Sequence, residues 1–559
     1  MTLRFTAGNR PILALLIMGL LTGSRSSRAQ CRFKNADSAN AVTYRFSPEE
    51  VADGTQLKID MTFQLTAGVP AEVDVPSPLI SGLHLEGTQA TIKDGISGTK
   101  TVLSSTSGPV TLSYVLKNGW AGPMVHPHEF EPVIRHEYLE ITAAKALIWP
   151  KKDDPNGRVT ANFDWQPLPP TWALATSFGV AGAASEQRCQ TYAGPWTKVN
   201  KALFAAGDFR LHTFKIGRRP GVLAVRGTWT FSDDEAADQI GRTLESVREF
   251  WHDDAFPYFL VTLQPFEQDH GSSDGTAYTN AFWMYVSRKD SISGLLPLLA
   301  HESFHAWNPF KMGYLSPPEY EKTKWFKEGF TEYYAQKLVF ESGELSAPML
   351  VDSINKDLLA FPSSTDVYVR GRVIALWLDS AIRQRSHDKH SLNDVMFRMV
   401  RDGKQPMTEE RVFATIAPYV SAETLLTLKQ AADQQGNLPT PPTIPGVGKC
   451  YRATYVDIPK FDLGLDYRKT EATKTIAGVD PSGPAFQAGV RDGQKMVALH
   501  FNGDDPNHPA TVVVSDDGVE RPLTYKPLGH PVKAWQYSLD GQGCKGAAGE
   551  SASDALQKR

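Results

Sequence analysis

The hydrophobic positions change their period along the chain. Between residues 40 and 200 they alternate: every second residue of Leu57-Lys58-Ile59-Asp60-Met61-Thr62-Phe63 is apolar, and Thr111-Leu112-Ser113-Tyr114-Val115-Leu116 nearly repeats the pattern. Period two describes a strand with one buried face. Asn156-Gly157 and the run Pro167 to Pro170 interrupt these segments as turns do, so the region predicts an all-β sandwich. From about residue 233 the period lengthens. Ala237, Ile240, Leu244, Val247 and Trp251 fall on one helical face, and residues 293–308, 322–341, 369–385, 391–402, 408–417 and 422–435 also read as helices. Four prolines between Asn437 and Gly448 mark a linker or domain edge. Short strands follow from Lys460 to Tyr525, and the small, polar residues from Gly541 to Arg559 predict a frayed tail. No internal repeat is present. The chain is therefore predicted to be a multidomain α+β protein: a leader at 1–29, an N-terminal β-sandwich at 30–205, a mainly helical domain at 206–440, a β domain at 441–540 and a tail at 541–559.

Composition narrows the class. With 58 basic and 62 acidic residues the formal charge is −4, which argues against a nucleic-acid partner. Hydrophobic residues at 41% and charged residues at 21% are ordinary for globular chains and exclude wholesale disorder. Arg4 and Arg10 precede an apolar run from Ile12 to Leu21, and Ser27-Arg28-Ala29 offers a small-x-small cleavage signal. That is the plan of a secretory leader, with a mature start near Gln30 and a destination in a periplasm or outside the cell. The run is short for a membrane span, and no other stretch is long enough, so no stable span is expected in the mature chain. Cys31, Cys189, Cys450 and Cys544 then remain in an exported chain, where an even count predicts disulfides. The pairs Cys31–Cys189 and Cys450–Cys544 are expected, because each brackets one terminal domain.

The chemistry concentrates at His301-Glu302-Ser303-Phe304-His305, behind the apolar run Leu295 to Ala300. Two histidines at i and i+4 share a helix face, so both imidazoles can reach one Zn²⁺. Glu302 beside them is placed to act as general base on the attacking water. A third ligand is expected downstream, and Glu328, on the next predicted helix, completes a His₂Glu set that leaves a position open. Glu332, one turn later, is placed to accept a hydrogen bond from a ligand imidazole. Tyr368, in Tyr368-Val369-Arg370-Gly371, carries a hydroxyl of the kind that stabilises an oxyanion. Spacing alone does not separate it from the other 17 of the 18 tyrosines.

Three ordered blocks, His301 to His305, Trp325 to Tyr334, and Tyr368 to Gly371 followed by Ile374 to Arg383, together resemble the glycyl aminopeptidase family of zinc metallopeptidases, thermolysin-like enzymes whose catalytic domain is related to aminopeptidase N. The resemblance implies an N-terminal β-sandwich, a mainly helical thermolysin-like catalytic domain and a C-terminal PDZ-like β domain. It also implies one Zn²⁺ per chain held by His301, His305 and Glu328, with Glu302 as base and Tyr368 as oxyanion donor. Arg370 stands where the family has Lys, and His305 to Asn308 matches the family's His-x-Trp-Asn. Phe461 to Leu465 resembles a PDZ carboxylate-binding loop, and Val479 to Val490 the segment that carries a short helix. That module would take a peptide C-terminus by strand addition.

One block departs from the family. Its members carry Gly-Gly-Leu-Glu-His on the strand before the zinc helix, with the Glu holding the substrate's free amine. Here the corresponding substrate-binding stretch includes Gly275, Thr276, Ala277 and Tyr278, and Ala277 stands at the Glu position. Glu267, Asp269 or Asp274 are the nearby substitutes. Two modes follow: release of small N-terminal residues such as Gly or Ala, and cleavage that needs no free amine. A non-catalytic PDZ peptide-binding protein is a third reading, opposed by the complete metal and base set.

Overall fold

A computed structural model describes residues 31–540, except 37, 88–89, 96–97, 125–130, 152–156, 183–185, 269–272, 404, 449, 503–504 and 517. The predicted leader, the tail, Cys544 and Asp269 lie outside the described residues. The N-terminal region is β-rich. Strand Gly54–Leu65 alternates as its sequence predicts, with Leu57, Ile59, Met61, Phe63 and Leu65 buried, and it sits inside a six-stranded sheet between Ala41–Val51 and Gly108–Leu116. A four-stranded sheet and a five-stranded sheet complete the region. Their shared core stacks Phe46 on Trp165 at 3.8 Å between ring centroids. The Cys31–Cys189 disulfide forms as expected, with Cα atoms 5.6 Å apart. Cys450 is also disulfide-bonded.

The helical region contains a second five-stranded sheet that the sequence reading did not separate. Strands Arg219–Val225, Phe259–Pro265 and Ala281–Val286 run parallel, and Asp274–Tyr278 closes one edge antiparallel. Both faces are covered. Val222, Ala224, Leu260 and Trp283 face the N-terminal sheet, while Leu223, Val225, Val261 and Phe282 face the helices. A strand buried on both sides loses its alternation and becomes a continuous apolar run, so its period carries no signal. Against the helical side pack Asp233–Trp251, Ile292–Phe304, Lys324–Glu341 and Val367–Ser386, all within a few residues of their predicted bounds. Helices Pro317–Lys322 and Ala347–Ala360 were not anticipated.

The layer between the two regions holds a buried acid. On strand Tyr138–Thr142, Leu139 and Ile141 point into the N-terminal core, so Glu140 points at the second sheet. There it accepts hydrogen bonds from Thr262 Oγ1 at 2.9 Å, from Gln264 and from Tyr285. Burial raises its carboxyl to about 7 against those donors. The folded value lies above the unfolded one, so its contribution is complete in acid and is lost as pH rises through about 7. Glu140→Gln is therefore expected to flatten the fall in stability between pH 5 and pH 8, by an amount on the order of 3 kcal/mol. Urea unfolding of both proteins at the two pH values measures this, and equal falls would refute it.

The C-terminal residues divide between two cores. Strands Tyr451–Ile458 and Val532–Leu539 form an antiparallel ribbon whose Tyr451 and Tyr537 belong to the helical core. Asn355 clamps it, donating to the Tyr537 carbonyl at 2.9 Å and accepting from its amide at 2.8 Å. Between the ribbon strands, a separate small core forms around Leu463, Ile476, Val490, Met496, Val512 and Tyr525. It has three strands; helix Pro484–Gln487 falls within Val479 to Val490, the segment expected to carry a short helix, whereas helix Tyr467–Thr473 interrupts a stretch read as strands. Asp466 caps the latter by accepting from Lys469 N, the local side-chain bond that favours a helix start over an extended chain.

Candidate active site

Ser291 starts the central helix by accepting the Gly294 amide at 3.2 Å. Pro309 follows four residues after its His305 end. His301 and His305 thus leave one face of the last turn, with ring centroids 4.7 Å apart. Their Nε2 atoms lie 3.4 Å and 3.2 Å from the same oxygen of Glu328. All three residues are at most 9% exposed. Tetrahedral coordination with ~2.0–2.1 Å bonds gives donor–donor edges of about 3.3–3.4 Å, so these spacings fit a zinc-sized ion.

The imidazole tautomers are set from behind. His301 Nδ1 is 2.9 Å from Glu332 Oε2, and His305 Nδ1 is 2.7 Å from the Asn308 carbonyl. Both acceptors require the proton on Nδ1, which leaves the Nε2 lone pairs directed at the shared point. Glu332 is itself held: Gln336 donates to it at 2.8 Å, and Arg372, which pairs with Asp357, lies 3.6 Å away. Burial opposes its charge, but the His301 contact and the Arg372 charge bring its carboxyl down to about 2. Asn308 donates to Thr331 Oγ1 at 3.1 Å, tying the loop after His305 to the helix that carries Glu328. Glu328 likewise stays well below the usual carboxylate range: burial is overcome by His301, by His305, and by Lys327, 2.6 Å from its other oxygen. Glu302 lines the cleft beside His305. Burial raises its carboxyl, opposed by the two histidines.

Tyr368 opens its helix, its amide donating to the Asp366 cap at 2.8 Å. Its ring lies 5.7 Å from that of His301. Arg370 does not enter the site: it turns inward and donates to the carbonyls of Phe361, Ser364 and Ala431. Two glycines bring Glu328 and Tyr368 together, a role not read from the motifs. A Cβ on Gly329 would lie 2.1 Å from Gly371 Cα, and one on Gly371 would lie 2.1 Å from the Trp325 carbonyl oxygen. Neither contact is with a side chain that can swing away. Gly371→Ala gains up to ~1 kcal/mol in helix propensity, against ~1–3 kcal/mol or more for overpacking. It is expected to lower stability on balance and, by parting the helices, to lower turnover. A thermal melt and a rate assay test this together.

Of the four residues predicted to bind substrate, Thr276, Ala277 and Tyr278 line a cleft of about 970 Å³ with Glu302 and His305. Gly275 instead packs on Phe282, where a Cβ would approach to 2.4 Å. Glu267 is occupied elsewhere, accepting from Arg135 at 2.8 Å and 2.9 Å and from the Met124 amide. Neither Glu267 nor Asp274 lines the cleft, and among the described residues its lining has one carboxylate, Glu302.

Residues 294–393 match the family model of the M61 glycyl aminopeptidases. This segment belongs to the glycyl aminopeptidase family. The chain is accordingly a metallopeptidase. Its fold is similar to an aminopeptidase N family protein from Idiomarina loihiensis, at 16% identity and TM-score 0.61 over 89% of this chain and 98% of that one. An M1 zinc metallopeptidase from Deinococcus radiodurans aligns at 15% identity and TM-score 0.46 over 72% and 95% of the two chains. No curated protein matches the sequence. Among the described residues no helix is long and apolar enough to cross a membrane. The disulfide is consistent with an oxidising compartment.

Proposed function

We propose that the chain is an exported, zinc-dependent peptidase of aminopeptidase type, with one metal held by His301, His305 and Glu328. The observation that carries this reading is the convergence of both Nε2 atoms on one Glu328 oxygen, with both Nδ1 atoms engaged from behind. Zinc held there supplies Lewis acidity to the scissile carbonyl and the attacking water. Glu302 takes the proton of that water and passes it to the leaving amine. The Tyr368 hydroxyl donates to the oxyanion. Burial, then the charges of Glu328 and Glu302, raise its pKa, so it keeps its proton at working pH. Tyr368→Phe is expected to lower kcat by about 10²–10³-fold, as loss of one oxyanion donor does, and an unchanged kcat would remove it from the mechanism.

Release of small N-terminal residues such as Gly or Ala is the family-like mode. Ala277 and the single carboxylate among the cleft's described lining residues favour a second: cleavage that does not require a free amine, since an ammonium in a closed site needs a partner. Alanyl and glycyl chromogenic amides, assayed beside an N-acetylated peptide with and without chelator, separate the modes. Chelator-sensitive release from the amides alone supports the first, and cleavage of the acetylated peptide the second. We read residues 461–525 as a PDZ-like core that does not capture a peptide. Helix Tyr467–Thr473 follows the Phe461–Leu465 loop, where strand addition needs an open strand.

A further inference from the structure

Six cationic side chains line the cleft, Lys145, Lys198, Lys201, Arg248, Lys311 and Lys327, against the single carboxylate among its described lining residues. Four of the six pair with carboxylates that are not among the lining residues. Lys145 lies 3.4 Å from Glu131, Arg248 lies 3.5 Å from Asp254, Lys327 lies 2.6 Å from Glu328, and Lys311 pairs with Asp253. Lys198 and Lys201 differ, with no carboxylate within 4.0 Å among the described residues. Their backbone is fixed to the edge of the cleft: Thr279, just past the edge strand, donates its hydroxyl to the Lys198 carbonyl and its amide to the Lys201 carbonyl, each at 2.8 Å. Lys201 Nζ stands 4.7 Å over the ring of Phe310, which is 64% exposed at the cleft mouth. Partial burial, then repulsion from Lys201 and Lys311, lowers the Lys198 ammonium. Positive charges gathered without counter-ions in a walled cleft focus an attractive potential on anions, and binding one relieves their mutual repulsion.

We propose that Lys198 and Lys201 bind a carboxylate of the peptide substrate, making this a site selective for acidic peptides. This rests on the peptidase reading and adds a substrate class to it. The carboxylate comes from an Asp or Glu side chain or from the peptide's own C-terminus.

The test uses full-length, zinc-loaded Glu302→Gln protein, so that affinity is read without turnover. Fluorescence anisotropy compares one labelled peptide carrying Glu with its Gln counterpart, each with a free and an amidated C-terminus. The acidic form is expected to bind about tenfold or more tightly, with a preference that shrinks as salt is raised. A gain from Glu over Gln assigns the side chain, and a gain from the free acid over the amide assigns the C-terminus. Adding Lys198→Glu and Lys201→Glu should bring the ratio to one or invert it. Lys198→Ala with Lys201→Ala gives the same direction should charge reversal disturb folding. Equal affinities for all four peptides, or a preference that survives both double variants, would overturn the inference. Wild-type protein on the same peptides tests the underlying reading separately, because absence of chelator-sensitive cleavage refutes the peptidase and not the anion preference.

Discussion

Glu302→Gln is expected to abolish turnover while leaving the metal in place. The side chain lies one residue from His301, faces the cleft and is not among the three donors that converge at hydrogen-bonding distances. Glutamine keeps its volume and a carbonyl oxygen but cannot take a proton. A positioned base contributes about 10²–10⁴-fold. Because the same carboxylate is asked to receive one proton and deliver it to the leaving amine, the loss belongs at the upper end. Turnover and metal content, measured on one preparation, decide the matter. Residual activity within tenfold of wild type would place the base elsewhere, and loss of metal would make Glu302 a ligand.

His305→Ala is expected to fail differently. It removes a nitrogen 3.2 Å from Glu328 Oε2 and the donor to the Asn308 carbonyl. Glu328 is then left buried with one imidazole and Lys327 as partners. Breaking such a set costs more than the pair was worth, because the remaining charge loses its compensation. Zinc at about 1,000 times its dissociation constant stabilises a folded protein by ~4 kcal/mol. The wild-type melting temperature should therefore rise with added zinc, while the variant starts lower and does not respond. A variant that still binds one zinc with unchanged affinity would remove His305 from the metal set.

The approach of His301 and His305 to one point was legible in the sequence because helical geometry is local. His301 and His305 must share a face whatever surrounds them, and Glu332, one turn beyond Glu328, could be placed behind an imidazole by counting residues. What counting does not reach is contact between elements. The Asn308 carbonyl that orients His305 is a backbone atom and leaves no mark in composition. Gly329 and Gly371 stand in motifs read for their Glu and Tyr, yet their meaning is the crossing of two helices 42 positions apart in sequence. The second sheet escaped because Ala281-Phe282-Trp283-Met284-Tyr285-Val286 is buried throughout and shows no period. Lys198 and Lys201 belong to the N-terminal region by sequence, and only the fold carries them to the cleft.

The ribbon of Tyr451–Ile458 and Val532–Leu539 makes the small C-terminal core an insertion in a hairpin. The chain leaves the helical region along one strand and returns along its partner, with Ile458 opposite Val532 at the open end. Paired residues there stand about 5 Å apart, a gap that a tight two-residue turn spans. The core is therefore removable cargo: a chain in which such a turn replaces residues 459–531 keeps the clamp between Asn355 and Tyr537. Conversely, a single protease cut inside the inserted segment would leave both fragments attached, held by the ribbon at either side of the break.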